Sequence, residues 1–247
     1  MLAVGNFFFR WRDTAFTLIF LAAFYLITIK EFGVGGLRED IITSIAGFVV
    51  AGMGQFARAI TIGLAYIKRG GLNKKIYADD LVKRGMFAHC RNPLYLGNLL
   101  IVTGVIISIN VTWYYYIALP LFYFIYMCIT LAEENFLRGK FGEAYDQYCK
   151  EVPNRFIPGQ LSKWKQSTEG MDFTWKRLIK KEHSAFAMLV FSLAIVAILK
   201  LHFRHDIAWN TPVMYALGGV ILSMIIFNMI AARMKKTGKL EWDPNRP

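Results

Sequence analysis

Six stretches of the sequence, about 14–30, 41–66, 94–110, 113–132, 184–203 and 212–232, are apolar over lengths that suit a bilayer. Crossing about 30 Å of hydrocarbon takes roughly 20 residues of helix at 1.5 Å each. The third stretch is short and has to stand nearly upright or thin the bilayer locally. The chain is therefore expected to be all-α: a polytopic membrane protein with about six transmembrane helices. Hydrophobic residues make up 55% of its 247 positions and aromatic residues 15%, too apolar for a soluble domain of this size. Met1–Arg12 makes a poor signal peptide, because the apolar run after it is long and lacks a small-residue cleavage site, so it reads as the start of a retained first span.

Charge placement orients the helices. Of the 29 Lys and Arg, only Lys30, Arg38, Arg58, Lys200 and Arg204 fall outside four segments: the N-terminus, 68–91, 138–181 and 233 onward. The positive-inside rule then puts both termini in the cytoplasm. The +12 net charge is this bias, and its clusters attract anionic lipid headgroups. Nucleic acid is not expected as a partner, because the aromatics lie in the spans rather than among the basic residues. Cys90, Cys128 and Cys149 are too scattered for a disulfide frame or a zinc knuckle. His202, His205 and Asp206 have a spacing that can hold a metal, but read better as the polar outer end of a span; no metal site is expected.

Three regions follow: 1–40, a first span and outer loop; 41–158, a core of three spans with two polar motifs; and 159–247, a basic linker and a two-span hairpin. In the inner loop from Lys68 to His89, Gly70-Gly71 and Gly85 act as breaks, and Ala78–Leu81 is expected to begin a helical turn. Asp172–Lys181 reads as a basic interfacial helix. Gly218, Gly219 and Ser223 are small enough for close helix packing.

The first motif, Gly85–Gly97, joins a basic loop to the third span. Asn92 suits a helix N-cap and Pro93 the first helical position. Arg91 and Asn92 then sit where free backbone N–H groups and a positive helix end meet the membrane surface, a setting for a carboxylate or phosphate. A capped helix with a snorkelling Arg is the alternative. The second motif begins with Glu133-Glu134 at the end of an apolar span, where two carboxylates are costly unless used or solvated. Neighbours on a helix point about 100° apart, so one can meet a ligand while the other holds an Arg or a backbone group. Phe141, Tyr145, Tyr148 and Val152 recur at helical spacing and predict an amphipathic helix against the membrane or the bundle. Val152-Pro153 and Ile157-Pro158 end it.

The two motifs together resemble the isoprenylcysteine carboxyl methyltransferase and phospholipid methyltransferase superfamily of integral membrane enzymes. Its pattern of Gly, an aromatic and Arg-His-Pro-x-Tyr-x-Gly matches Gly85, Phe87, Arg91, Pro93, Tyr95 and Gly97. Its Glu-Glu, Phe-Gly-x-x-Tyr-x-x-Tyr and Val-Pro pattern matches Glu133, Glu134, Phe141, Gly142, Tyr145, Tyr148, Val152 and Pro153. Gln55 and Arg58 resemble a polar patch of the second span. The resemblance spans about 41–158. One departure is that Asn92 stands where the family has His, which removes any role needing an imidazole there.

The resemblance implies a methyltransferase using S-adenosylmethionine at the cytoplasmic ends of spans three and four. It implies that Tyr95 and Gly97 shape the cofactor pocket and that Arg91 or Asn92 binds the cofactor carboxylate. Glu133 or Glu134 would hold its ribose hydroxyls or ammonium, and Tyr145 and Arg155 would close the pocket. The reacting centre would comprise Arg91, Asn92, Glu134 and Arg58, the last orienting an acceptor head group or forming a structural ion pair. The acceptor is a lipid or lipidated molecule, carboxylate or amine. Two other readings stand beside this one: an NADPH-dependent membrane reductase of the sterol-reductase type, and a silent lipid-binding scaffold. The hairpin after residue 165 is expected to be accessory, walling the acceptor pocket or forming a homodimer face, and dispensable for cofactor binding. The compact loops suggest a bacterial plasma membrane.

Overall fold

A computed structural model describes residues 1–64 and 76–241, and its described residues are almost entirely helical. In chain order the main helices are α1 (Leu2–Ile27), α2 (Leu37–Leu64), α3 (Pro93–Ile109), α4 (Leu119–Phe141), α5 (Glu143–Glu151), α6 (Trp164–Thr168), α7 (Trp175–Leu199) and α8 (Pro212–Lys236). A π-turn, Tyr114–Ala118, leads into α4, and another, Lys200–Arg204, extends α7. Four continuous helical stretches, Leu37–Leu64, Tyr114–Phe141, Trp175–Arg204 and Pro212–Lys236, are long and apolar enough to cross a membrane. Thr14–Ile27 and Pro93–Ile109 are shorter apolar helices that complete the bundle. The expectation of an all-α polytopic membrane protein holds.

Glycines decide the tightest packing. A Cβ at Gly47 or Gly104 would overlap the backbone of the facing helix, as would one at Gly54 or Gly97. These four positions let α2 and α3 touch backbone to backbone, the small-residue packing that lipid favours where no water drives association. Gly218 and Gly219 do not do this. Among the described residues nothing lies within 4 Å of a Cβ built at either, so neither glycine packs closely against another helix of its own chain.

Several boundaries differ from expectation. Glu133 and Glu134 lie well inside a helix that runs on to Phe141, because Leu137 and Phe141 still pack against Tyr145 and Tyr148. The basic segment after Asp172 is no separate interfacial helix but the first turns of α7. Residues 78–81 form a bend rather than a helical turn, with the Tyr77 hydroxyl donating to Asp79 at 2.6 Å. Gly70-Gly71 lies outside the described residues. The amphipathic helix forms as α5, turned sharply from α4 at Gly142, whose φ of 53° and ψ of −128° only glycine adopts easily.

At the end of the bundle opposite the basic loops, Asp40 gathers the helix ends. Its side chain, 4% exposed, lies 2.9 Å from Lys200 Nζ, 3.3 Å from Arg204 Nη1 and 2.8 Å from His205 Nε2. Asn110 Nδ2 adds a bond at 2.8 Å. Lys200 and Arg204 also donate to the carbonyls of Ser108 and Ile27. The histidines expected at a polar span end are thus used there: His205 faces Asp40, and His202 stacks on Trp209.

Candidate active site

Two segments far apart in sequence meet at the start of α3. The Arg91 N–H donates to the Asn154 carbonyl at 2.9 Å and the Asn92 N–H to the Arg155 carbonyl at 3.0 Å. Beneath this pairing sits Glu134, 4% exposed. It accepts from Arg91 Nε and Asn92 Nδ2, both at 3.0 Å, and from Arg155 Nη2 at 2.9 Å. Arg91 Nη1 donates onward to the carbonyls of Val152 and Pro153 at 3.0 and 2.7 Å. One buried carboxylate therefore ties the first motif to the tail of the second, with charge-assisted bonds from two guanidinium groups.

Glu133 points elsewhere. It lines a cavity of about 290 Å³ at the basic end of the bundle, together with Tyr95, Asn98 and Leu137. Its carboxylate interacts with the Tyr95 hydroxyl. α1 contributes Phe9 and Arg12, the segment 76–82 contributes Asp79 and Asp80, and α5 contributes Tyr145 and Tyr148. Burial raises the phenol pKa values of Tyr145 and Tyr148, so both rings stay neutral. The Tyr148 hydroxyl is anchored on the Phe87 carbonyl at 2.7 Å.

Arg58 also lines the cavity, but its guanidinium is engaged. Nε and Nη2 grip Glu182 of α7 at 2.8 and 2.7 Å, and Nη1 donates to Asn98. Of the two readings of Arg58, the structural ion pair is the one formed. Its partner comes from the hairpin that the sequence marks as accessory. With the Lys200–Asp40 and Arg204–Asp40 pairs, this binds the hairpin to the core through buried charges.

The structure therefore brings Arg91, Asn92, Tyr95, Glu133, Tyr145 and Arg58 to one cavity. Glu134 and Arg155 stand behind it as a clamp, and Gly97 does not reach it. A Cβ at Gly97 would strike Arg58 Cγ and the Gly54 carbonyl, so this glycine serves the α2–α3 contact. Asn92 occupies the N-cap position, yet its side chain makes no capping bond; it donates to Glu134 instead. The backbone N–H groups of Arg91 and Asn92, expected to meet an anion, are taken by residues 154 and 155. His89 sits between the Gly159 carbonyl and Ser167 Oγ, stacked on Trp164.

Sequence reasoning missed Arg12, Asn98 and Glu182. Arg12 is hidden among the cations that mark the inner side of a first span. Asn98 had a readable signal, being a polar residue three positions after Tyr95 on the same face of an apolar helix. Glu182 was legible as a carboxylate at the start of a long apolar run, but its partner Arg58 lies 124 positions away.

Residues 42–144 match the phospholipid methyltransferase family. The matched segment carries Arg58, Arg91 to Gly97 and both glutamates, and stops just before Tyr145 and Arg155. Over this part the resemblance read from the two motifs holds. The chain is also 25% identical, over 166 residues, to a protein of Acanthamoeba polyphaga mimivirus named "Probable 7-dehydrocholesterol reductase". That alignment covers 60% of this chain and 36% of the relative, so the chain spans about a third of that relative's length. No solved structure matches the chain.

Proposed function

We propose that this chain is a membrane-embedded methyltransferase that transfers a methyl group from S-adenosylmethionine to a lipidic acceptor at the cytoplasmic face. The observation that carries the reading is the division of labour between the paired glutamates. Glu134 is consumed in joining the two motifs, and that junction leaves Glu133 in an aromatic-walled cavity.

The residues present fit the cofactor. Glu133, held by Tyr95, suits ribose hydroxyls or the ammonium group. Phe87, Tyr145 and Tyr148 line the cavity with aromatic surface that suits a sulfonium, and Arg12 and Asn98 suit the carboxylate. When bound, the cofactor supplies an electrophilic methyl group. The chain's own part is to position the two reactants in line and to exclude water. A carboxylate acceptor needs no base, whereas an amine acceptor must lose a proton, for which the cavity wall offers the carboxylates of Glu133, Asp79 and Asp80. Asn92 cannot take a proton, and its place here is as a donor to Glu134.

The reductase reading draws on the name of the mimivirus relative. Against it, NADPH carries several phosphate charges, while the cavity presents Asp79, Asp80 and Glu133. Two of its arginines, Arg58 and Arg91, are already bound to Glu182 and Glu134. Equilibrium binding of radiolabelled S-adenosylmethionine and of NADPH to the purified full chain tests both readings. Binding of the first, weakened in Glu133→Gln and followed by label transfer to a membrane lipid extract, is the expected result. NADPH binding without S-adenosylmethionine binding refutes the proposal, and cofactor binding with no transfer to any lipid favours the silent scaffold.

A further inference from the structure

Among the described residues, none from α7 or α8 lines the cavity of Glu133, yet a chain of polar side chains runs from α7 to its wall. Glu182, 4% exposed on α7, accepts from Arg58 Nε and Nη2 at 2.8 and 2.7 Å. Gln55 Nε2 supports the same carboxylate at 3.3 Å. Arg58 Nη1 then donates to Asn98 Oδ1 on α3, and Asn98 borders the cavity. Glu182 lies outside 42–144, the segment that matches the family.

This chain of bonds has a fixed direction. A guanidinium carries donors only, so the amide atom that meets Arg58 has to be the oxygen. The two-pronged grip of Glu182 sets the plane of the guanidinium and leaves Nη1 to reach α3. Fixing Oδ1 in turn fixes Nδ2 as the other end of the amide. Nδ2 has no partner among the described residues, and it is not sealed in as Gln55 Oε1 and Thr130 Oγ1 are. Asn98 stands about one helical turn beyond Tyr95 on the same face of α3, and the Tyr95 hydroxyl is taken up with Glu133. Ionised Glu133, Asp79 and Asp80 can only accept, so an anionic oxygen entering this cavity has to be met by a donor, and Asn98 Nδ2 is one held in place from behind.

We infer that Glu182 is a positioning residue for cofactor binding: through Arg58 it holds Asn98 with Nδ2 toward the cavity, where that N–H2 group binds the carboxylate of S-adenosylmethionine. The inference rests on the methyl-transfer reading. It gives the C-terminal hairpin a part in cofactor binding, in place of the dispensable role that the sequence suggests. An amide free to turn offers either its oxygen or its nitrogen, and the ligand then has to order it on binding; a side chain ordered beforehand removes that cost.

The test is equilibrium binding of S-adenosylmethionine, and of its decarboxylated form, to the full chain in detergent, with the unfolding midpoint recorded for each variant. Asn98→Asp keeps an oxygen for Arg58 and removes the N–H2 group. The cofactor carries two cationic groups and one carboxylate, so a new carboxylate in the cavity attracts it overall, and weaker binding reports contact at the cofactor's own carboxylate. Asn98→Asp is expected to weaken S-adenosylmethionine roughly 10- to 150-fold, the worth of a charge-assisted hydrogen bond, and not to weaken the decarboxylated form. Arg58→Met combined with Glu182→Leu removes the relay but replaces the ion pair by an apolar one, so its midpoint should stay near that of the wild type. Its affinity for S-adenosylmethionine should still fall about two- to tenfold, the cost of ordering one side chain, a loss that a merely structural ion pair would not cause. Unchanged affinity in either variant overturns the inference, and so does equal weakening of both cofactor forms by Asn98→Asp. Should Asn98→Asp fail to fold, the double variant decides alone. A wild-type chain that binds neither form refutes the methyl-transfer reading itself, and the inference falls with it.

Discussion

Replacing Glu134 by Gln removes the one negative charge that Arg91 and Arg155 share, while the neighbouring Glu133→Gln leaves that clamp untouched. Breaking a buried ion pair from one side costs about 3–5 kcal/mol, because the remaining charge stays buried without compensation. Here the Arg91 side chain is 10% exposed, but that of Arg155 is 33% exposed and recovers part of its hydration. Gln also keeps an acceptor oxygen for Asn92. The lower end, about 3 kcal/mol, is the expected loss for Glu134→Gln. At about 2–4 °C per kcal/mol for a chain of this length, the unfolding midpoint should fall by roughly 6–12 °C. Glu133→Gln should leave the midpoint within about 2 °C, since the amide can still meet the Tyr95 hydroxyl. Its deficit belongs in ligand binding, where one charge-assisted hydrogen bond of about 1.5–3 kcal/mol corresponds to a roughly 10- to 150-fold weaker Kd for S-adenosylmethionine. Thermal unfolding followed by tryptophan fluorescence in detergent, paired with equilibrium cofactor binding, reads both quantities. A Glu134→Gln variant as stable as wild type refutes the clamp. So does a Glu133→Gln variant that is equally destabilised, because the two carboxylates would then not differ in role.

The remaining predictions concern the packing around this site. Arg58→Met should destabilise the protein by about 3 kcal/mol by leaving the buried Glu182 without its charge partner, and adding Glu182→Leu should recover most of it, since an apolar pair often replaces a buried ion pair without loss; an additive double mutant would contradict this. Gly54→Leu and Gly104→Leu should lower the midpoint strongly, because each side chain meets facing backbone, whereas Gly218→Leu should be neutral in the same melting assay. Cys90, fully buried, has its thiol pKa pushed up to about 12. It therefore holds its proton at every pH below that value, and maleimide labelling of the folded chain at pH 8 to 9 should spare Cys90 and modify the half-buried Cys149. Labelling of Cys90 at the rate of a free thiol would show that the α3 junction opens.

Local chemistry determined much of this protein before any packing is considered. Apolar run length and the scarcity of charges within it specify helices in a membrane, and Lys and Arg placement puts the motif-bearing loops at one end, because both effects act through solvent on each segment alone. The paired motifs singled out residues that the fold gathers around one cavity, for the same reason: polar residues at the ends of apolar helices are costly unless used. What could not be read was which of two adjacent carboxylates meets a ligand. A turn of about 100° separates Glu133 from Glu134, and only the docking of residues 152–155 beneath α3 decides which one is covered. The status of the last two helices was undecided in the same way. Glu182, Lys200 and Arg204 look like span-end charges in sequence, and become core partners of Arg58 and Asp40 because α7 lies against α2. Gly97 and Gly218 make the point in reverse: both are small residues on apolar helices, and among the described residues only the first has a close neighbour. Pair identity across long sequence separations is a property of packing, and it is packing that divided these residues between scaffold and cavity.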